Sequence, residues 1–171
     1  MKGHAIISHG LQSSPDAAKA RALAQVAQAR GWSYELPDYR DIDAKGELGD
    51  VDARIERLDA IAAKSSAPLV LAGSSMGAYI SARVSLSRPV LGLFLMAPPT
   101  ELRGFPLKLE TAAVPMRVVH GWHDELIPAD AVVRWAQARS APLLLVDDSH
   151  RLEAHVDSCA REFDLLLQGL E

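Results

Sequence analysis

The sequence predicts an α/β fold built on a minimal six-stranded, mainly parallel sheet flanked by helices. Three observations carry this expectation. Short apolar runs alternate with longer stretches of helical periodicity. The run Pro68-Leu69-Val70-Leu71-Ala72 is apolar throughout, as a strand covered on both faces would be. A length of 171 residues suits one core, so residues 1–171 are expected to form a single domain. Strands alternating with helices imply βαβ units with right-handed crossovers.

Each element follows in order. Ala5-Ile6-Ile7 reads as the first strand. Ser13-Ser14-Pro15-Asp16 offers a hydroxyl cap, a proline near the first helical position and an early acid, so a helix is expected there. Leu23, Val26 and Ala27 give that helix one apolar face, and Gly31 ends it. Residues 32–36 form a weaker strand stopped by Pro37, and residues 37–50 lack periodicity and read as a loop. Asp50 is placed to cap a helix on which Val51, Ile55, Leu58 and Ala62 recur at helical spacing. After the strand at 68–72, residues 73–77 turn and a helix runs through Ala82 and Leu86. Residues 90–96 form a strand, 98–114 are irregular, and 116–119 form another strand. Pro128 opens a helix carrying Val132, Val133 and Ala136. Residues 142–146 form the last strand, and a helix from about residue 151 to 170 carries Leu152, Val156, Cys159, Phe163 and Leu167.

Composition excludes several classes. The formal net charge is −4 without a run of like charges, so the basic stripe of a nucleic-acid binder is missing. Lys2, Lys19, Lys45, Lys64 and Lys108 are scattered and read as solvated surface. Cys159 is the one cysteine; it cannot form an internal disulfide, suits a reducing compartment and reads as a small buried hydrophobe. The N-terminal residues lack the h-region and cleavage site of a signal peptide, and the apolar stretch 90–99 is too short to span a bilayer. A soluble cytoplasmic protein is expected. Neither a P-loop nor a dinucleotide glycine pattern occurs. His120 and His123 stand close together but without the companions of a zinc site, so no metal and no cofactor is expected.

The strongest local signal is Gly73-Ser74-Ser75-Met76-Gly77, a G-x-S-x-G between an expected strand and an expected helix. A sharp strand-to-helix turn strains its central residue and pushes the hydroxyl out beyond the end of the sheet. Side chains two before and two after would collide, which selects Ser75, flanked by Gly73 and Gly77, over Ser74, flanked by Ala72 and Met76. A serine at neutral pH needs a base, and the base needs an acid to hold its tautomer. Asp124, in His120-Gly121-Trp122-His123-Asp124, follows the next-to-last strand, and His150 follows the last, at the strand ends where ligands of open α/β sheets collect. The competitors are weaker. His155 lies in the last helix, His4 begins the first strand at the other end of the sheet, and His120 and His123 are expected to shape Asp124's loop. Asp147 and Asp148 remain as fallback acids, and Glu125 as a weaker one.

The turn Ser8-His9-Gly10-Leu11, the elbow, the His-Gly-x-x-Asp loop and the final histidine together resemble small bacterial esterases of the α/β-hydrolase superfamily, over the chain from Ile6 to the last helix. The order Ser, Asp, His is that superfamily's order. The resemblance implies Ser75, Asp124 and His150 as a catalytic triad, and an oxyanion hole from the backbone N–H groups of Met76 and Leu11, with His9 orienting the loop. Two edge strands of larger members are expected to be missing. The segment 97–114 is too short for an inserted lid domain, which argues against an interfacial lipase. Leu11, Tyr39, Leu102, Phe105, Trp122 and Leu126 are candidate pocket residues. The expected activity is hydrolysis of a small carboxylic ester through an acyl-serine, with no nucleic-acid or membrane partner and no signal of oligomeric state. Thioester or peptide hydrolysis on the same residues is the enzymatic alternative. A non-catalytic interaction module on the same scaffold is the other.

Overall fold

The structure, a computed structural model, describes residues 2–46, 50–101 and 108–171. Six strands, β1 (His4–Ser8), β2 (Ser33–Glu35), β3 (Leu69–Ser74), β4 (Gly92–Met96), β5 (Met116–Gly121) and β6 (Leu143–Val146), form one sheet in the order β2-β1-β3-β4-β5-β6. All five pairings are parallel, so the sheet is fully rather than mainly parallel.

Side chains alternate across the strands, and each face collects its own helices. Ile6, Leu71, Leu93, Leu95 and Val118 pack against α3 (Val51–Ala62), α4 (Met76–Ser85) and α5 (Ala129–Gln137). Ala5, Ile7, Val70, Ala72, Phe94, Met96 and Val119 pack against α1 (Ala18–Ala29) and α6 (Val156–Leu170). Covered on both sides, β3 and β4 are almost entirely buried, which explains their unbroken apolar runs. Cys159 is fully buried in the second layer, and burial pushes its thiol up to about 11.

From β1 the chain moves outward to β2, then returns past β1 to build β3 through β6 on the other side. The order therefore reverses between β1 and β3, and a crevice opens at their carboxyl ends. Ser8 and Ser74 close those two strands, so the turn after β1 and the elbow after β3 meet there. No lid domain covers that edge among the described residues.

Several local expectations are corrected. The first helix begins at Ala18, with Ala17 as its cap and no side-chain bond; the Ser14 hydroxyl instead accepts from the Asp16 N–H at 3.2 Å, closing a local turn. The stretch 37–50 is not all loop: α2 (Arg40–Asp43) is one helical turn, too short to leave a periodicity, started where Asp38 accepts from the Arg40 N–H at 3.0 Å. Asp50 caps α3 as expected, accepting from the Ala53 N–H at 2.9 Å. The buried face of α3 carries Arg54 beside Val51, Leu58 and Ala62, whereas Ile55 is only partly buried. β4 starts at Gly92 rather than 90. The last helix starts at Val156, after a 3₁₀ turn at Glu153–His155, because Leu152 adopts a left-handed φ of 55°.

Candidate active site

Ser75 stands at the junction of β3 and α4 with φ 53° and ψ −115°, a conformation that L side chains rarely adopt. Its own N–H donates to the Met96 carbonyl at 2.9 Å, and its carbonyl accepts from the Tyr79 N–H at 3.0 Å, which opens α4. Both flanking glycines are sterically required. A Cβ on Gly73 would lie 2.2 Å from the Gly77 carbonyl carbon and oxygen, and one on Gly77 would lie 2.0 Å from the Ser8 oxygen. The strain falls on Ser75 and not on Ser74, as the glycine spacing predicts.

The loops after β5 and β6 are joined before they deliver their side chains. Trp122 N–H donates to the Val146 carbonyl at 2.9 Å and His123 N–H to the Asp148 carbonyl at 3.0 Å. A Cβ on Gly121 would stand 2.4 Å from that same Asp148 oxygen, so glycine permits the approach. Asp148 then pins the second loop, accepting from the N–H groups of Ser149 and Ala154 at 2.8 and 3.0 Å, with the His155 ring 3.0 Å away. The Glu125 carboxylate accepts from the His150 N–H at 3.2 Å.

These loops bring the three candidate side chains together. His150 Nδ1 lies 2.7 Å from Asp124 Oδ2, and His150 Nε2 lies 3.0 Å from Ser75 Oγ. A carboxylate only accepts, so Nδ1 carries the proton and Nε2 is left to accept from the serine hydroxyl. The Asp124 side chain is fully buried, while that of His150 is 12% exposed. Burial works to raise the Asp124 pKa. Hydrogen bonds from His150 and from the Ile127 and Leu126 N–H groups, at 2.7 and 2.9 Å, outweigh it and hold the carboxyl below its usual range.

The other histidines serve the framework. His120 is fully buried, and its Nε2–H donates to the Ile127 carbonyl at 2.9 Å, 3.5 Å from Asp124 Oδ2. Burial lowers its pKa and keeps it neutral at pH 7. His123 pairs with Asp147 at 2.8 Å in solvent, and His4 meets Ser33 at 2.8 Å near the start of β1. The fallback acids Asp147 and Asp148 thus face other histidines, and Glu125 meets the backbone N–H of His150.

Ser75 and His150 open onto a cavity of about 690 Å³ lined by residues that include Leu11, Gln12, Lys19, Leu126 and Val156. Leu11 and Leu126 line it as expected. Tyr39 is buried in the core instead, its hydroxyl 3.0 Å from Ser8 Oγ, and Trp122 is exposed outside the cavity. Leu102 and Phe105 lie outside the described residues. Met76 is the first residue of α4, where an N–H lacks an intrahelical partner and the helix end favours negative charge. Gly10 lies against Ser75: a Cβ there would be 3.4 Å from Ser75 Cβ, so Leu11 follows at the edge of the site. Among the described residues, no group of three or more His, Cys, Asp or Glu could hold a metal ion, and no helix is long and apolar enough to cross a membrane.

Sequence reasoning missed Arg54, which grips the turn after β1 from behind, and Asp43, which pairs with it. Arg54 donates to the carbonyls of His9 and Gly10 at 2.8 and 3.2 Å and pairs with Asp43 at 2.6 Å. The available signal was a lone charge on the apolar stripe of α3.

The profile of the Uncharacterised protein family (UPF0227) matches residues 5–99. No curated protein matches the sequence. Among solved structures, a Xanthomonas campestris pv. campestris protein assigned to the alpha/beta hydrolase superfamily is 56% identical, with 98% of this chain and 99% of that chain covered and a TM-score of 0.94. An alpha-beta serine hydrolase homologue from Coxiella burnetii is 25% identical over 100% of this chain and 86% of that one, with a TM-score of 0.67. Est1E from Butyrivibrio proteoclasticus shares the fold at 16% identity, over 98% and 88% of the two chains, with a TM-score of 0.80.

Proposed function

The chain belongs to the α/β-hydrolase superfamily and to the Uncharacterised protein family (UPF0227), and we propose that it is a serine hydrolase that cleaves small carboxylic esters. The observation that carries this reading is the unbroken contact from Ser75 Oγ through the His150 ring to the buried Asp124 carboxylate.

Ser75 attacks the ester carbonyl while His150 Nε2 takes its proton. The imidazolium formed is stabilised by Asp124, which holds the Nδ1 proton in place. Charge that develops on the former carbonyl oxygen is met by the N–H groups of Met76 and Leu11, and by the positive end of α4. His150 returns its proton to the departing alcohol, leaving an acyl-serine. A water then enters, gives a proton to His150 and attacks the acyl carbon; Ser75 recovers its proton as the acid leaves. These side chains and water supply every proton transfer the reaction requires.

Among the described residues no lid domain covers the site, and we favour small soluble esters over substrates at a lipid interface. The single buried thiol of Cys159 suits a reducing compartment, and we place the enzyme in the cytoplasm.

Steady-state hydrolysis of p-nitrophenyl acetate, butyrate and octanoate tests the reading, with an acyl thioester and a peptide anilide measured alongside. The expected result is saturable ester turnover, strongest on the short chains and abolished in Ser75→Ala. Faster turnover of the thioester or the anilide would replace the ester assignment. A folded wild type inert towards all of them would contradict hydrolase activity and favour a binding role.

A further inference from the structure

Arg54 occupies a costly position. It lies on the face of α3 turned towards the sheet and is fully buried, where a guanidinium is tolerated only if its donors are satisfied. Nε and Nη2 grip the two oxygens of Asp43 at 2.7 and 2.6 Å, and the guanidinium carbon lies 4.5 Å over the Tyr39 ring. Two further donors go to the turn after β1. Nη1 reaches the His9 carbonyl at 2.8 Å and Nη2 the Gly10 carbonyl at 3.2 Å. An apolar side chain of similar volume would fill the space without desolvating a charge, and buried ion pairs add little to stability for their cost. The distinctive property of Arg54 is that its planar fork holds two successive carbonyls at once.

The Gly10 carbonyl is held from a second side by the His9 ring, whose Nδ1 lies 2.7 Å away while its Nε2 accepts from the Tyr39 N–H at 3.0 Å. That pattern requires the neutral tautomer with the proton on Nδ1. In a trans peptide the carbonyl of one residue and the N–H of the next point in opposite directions. Fixing the Gly10 carbonyl towards α3 therefore fixes the Leu11 N–H away from α3. The following residue, Gln12, takes a left-handed φ of 53°, so the chain turns sharply just after this peptide.

We propose that Arg54, braced by Asp43, is a positioning residue that fixes the Gly10–Leu11 peptide so that the Leu11 N–H meets the oxyanion. The inference rests on the reading of Ser75 as an acyl-transfer nucleophile and adds to it a device behind the loop. Arg54 touches neither substrate nor reacting atoms; it acts through the peptide it grips. A lysine at this position could keep Asp43 or one carbonyl, but not the fork that spans both.

The test uses Arg54→Lys and Asp43→Asn, each checked by circular dichroism and thermal unfolding, with ester kinetics and the affinity of a trifluoromethyl ketone that forms a tetrahedral adduct with Ser75. The folded variants are expected to lose about tenfold to a hundredfold in kcat, with KM within about twofold. Ketone affinity should fall by the same factor as kcat/KM. A folded Arg54→Lys with wild-type kcat and ketone affinity would overturn the proposal, because a purely structural role changes unfolding alone. A measurement independent of any variant follows the Leu11 amide by ¹⁵N-resolved NMR as the adduct forms on the wild type. A downfield shift of its proton is expected, and an unmoved resonance would overturn the proposal even if both variants unfold. A wild type without turnover or adduct would instead sink the proposed function itself.

Discussion

Gly77 lies so close to Ser8 that a Cβ on Gly77 would stand 2.0 Å from the Ser8 carbonyl oxygen and 2.9 Å from that of His9. The first turn of α4 is therefore pressed against the end of β1, which brings the elbow and the turn after β1 into one site. Both obstacles are backbone atoms and cannot rotate away. Gly77→Ala is expected to destabilise the protein by about 3 kcal/mol or more, at the upper end of what overpacking costs. Urea unfolding reads this directly; an unchanged midpoint would show that the junction yields.

Asp124 fixes the tautomer of His150 while staying ionised itself. Asp124→Asn keeps the shape of the side chain but can turn an amide donor towards Nδ1, which places the ring proton on the wrong nitrogen. Its kcat should fall about 10⁴-fold, with the fold retained. Pre-steady-state acylation kinetics check the step; a loss of less than tenfold would assign the imidazole's orientation to other contacts.

His9 and His120 link the same framework to pH. Burial lowers both pKa values, against hydrogen bonds to the Gly10 and Ile127 carbonyls that work to raise them. The unfolded chain takes up these protons near pH 6.5, the folded chain only at lower pH. Between those values the unfolded state binds more protons, so stability is fully present above about pH 6.5 and is lost as the pH falls through the folded values. Each group contributes a slope of up to about 1.4 kcal/mol per pH unit. Urea unfolding at pH 7.5 and 5.5 should show a lower free energy at 5.5; an equal or higher one would contradict the burial of two neutral rings.

What the sequence made legible follows physical rules that act locally. The elbow was readable because only glycine fits at positions 73 and 77, and the alternation of apolar runs with helical stripes was readable because both sheet faces are covered. Asp124 and His150 were reachable because parallel strands deliver their loops to one end. Long-range partners were not. Arg54 meets His9 and Gly10 from 45 and 44 residues away, and Asp148 finds its role only once the β5 and β6 loops are paired. The start of α1 was misplaced because a serine hydroxyl can close a turn as readily as cap a helix, and α2 was missed because four residues cannot show a period.

In the proposed mechanism His150, oriented by Asp124, activates Ser75. Covalent labelling with a fluorophosphonate tests it most directly, comparing the wild type with Ser75→Ala and His150→Ala and mapping the adduct by mass spectrometry. Rapid stoichiometric labelling at Ser75 is expected, with none in Ser75→Ala and a rate at least a hundredfold lower in folded His150→Ala. Labelling of His150→Ala at the wild-type rate, or no labelling of the folded wild type, would contradict it.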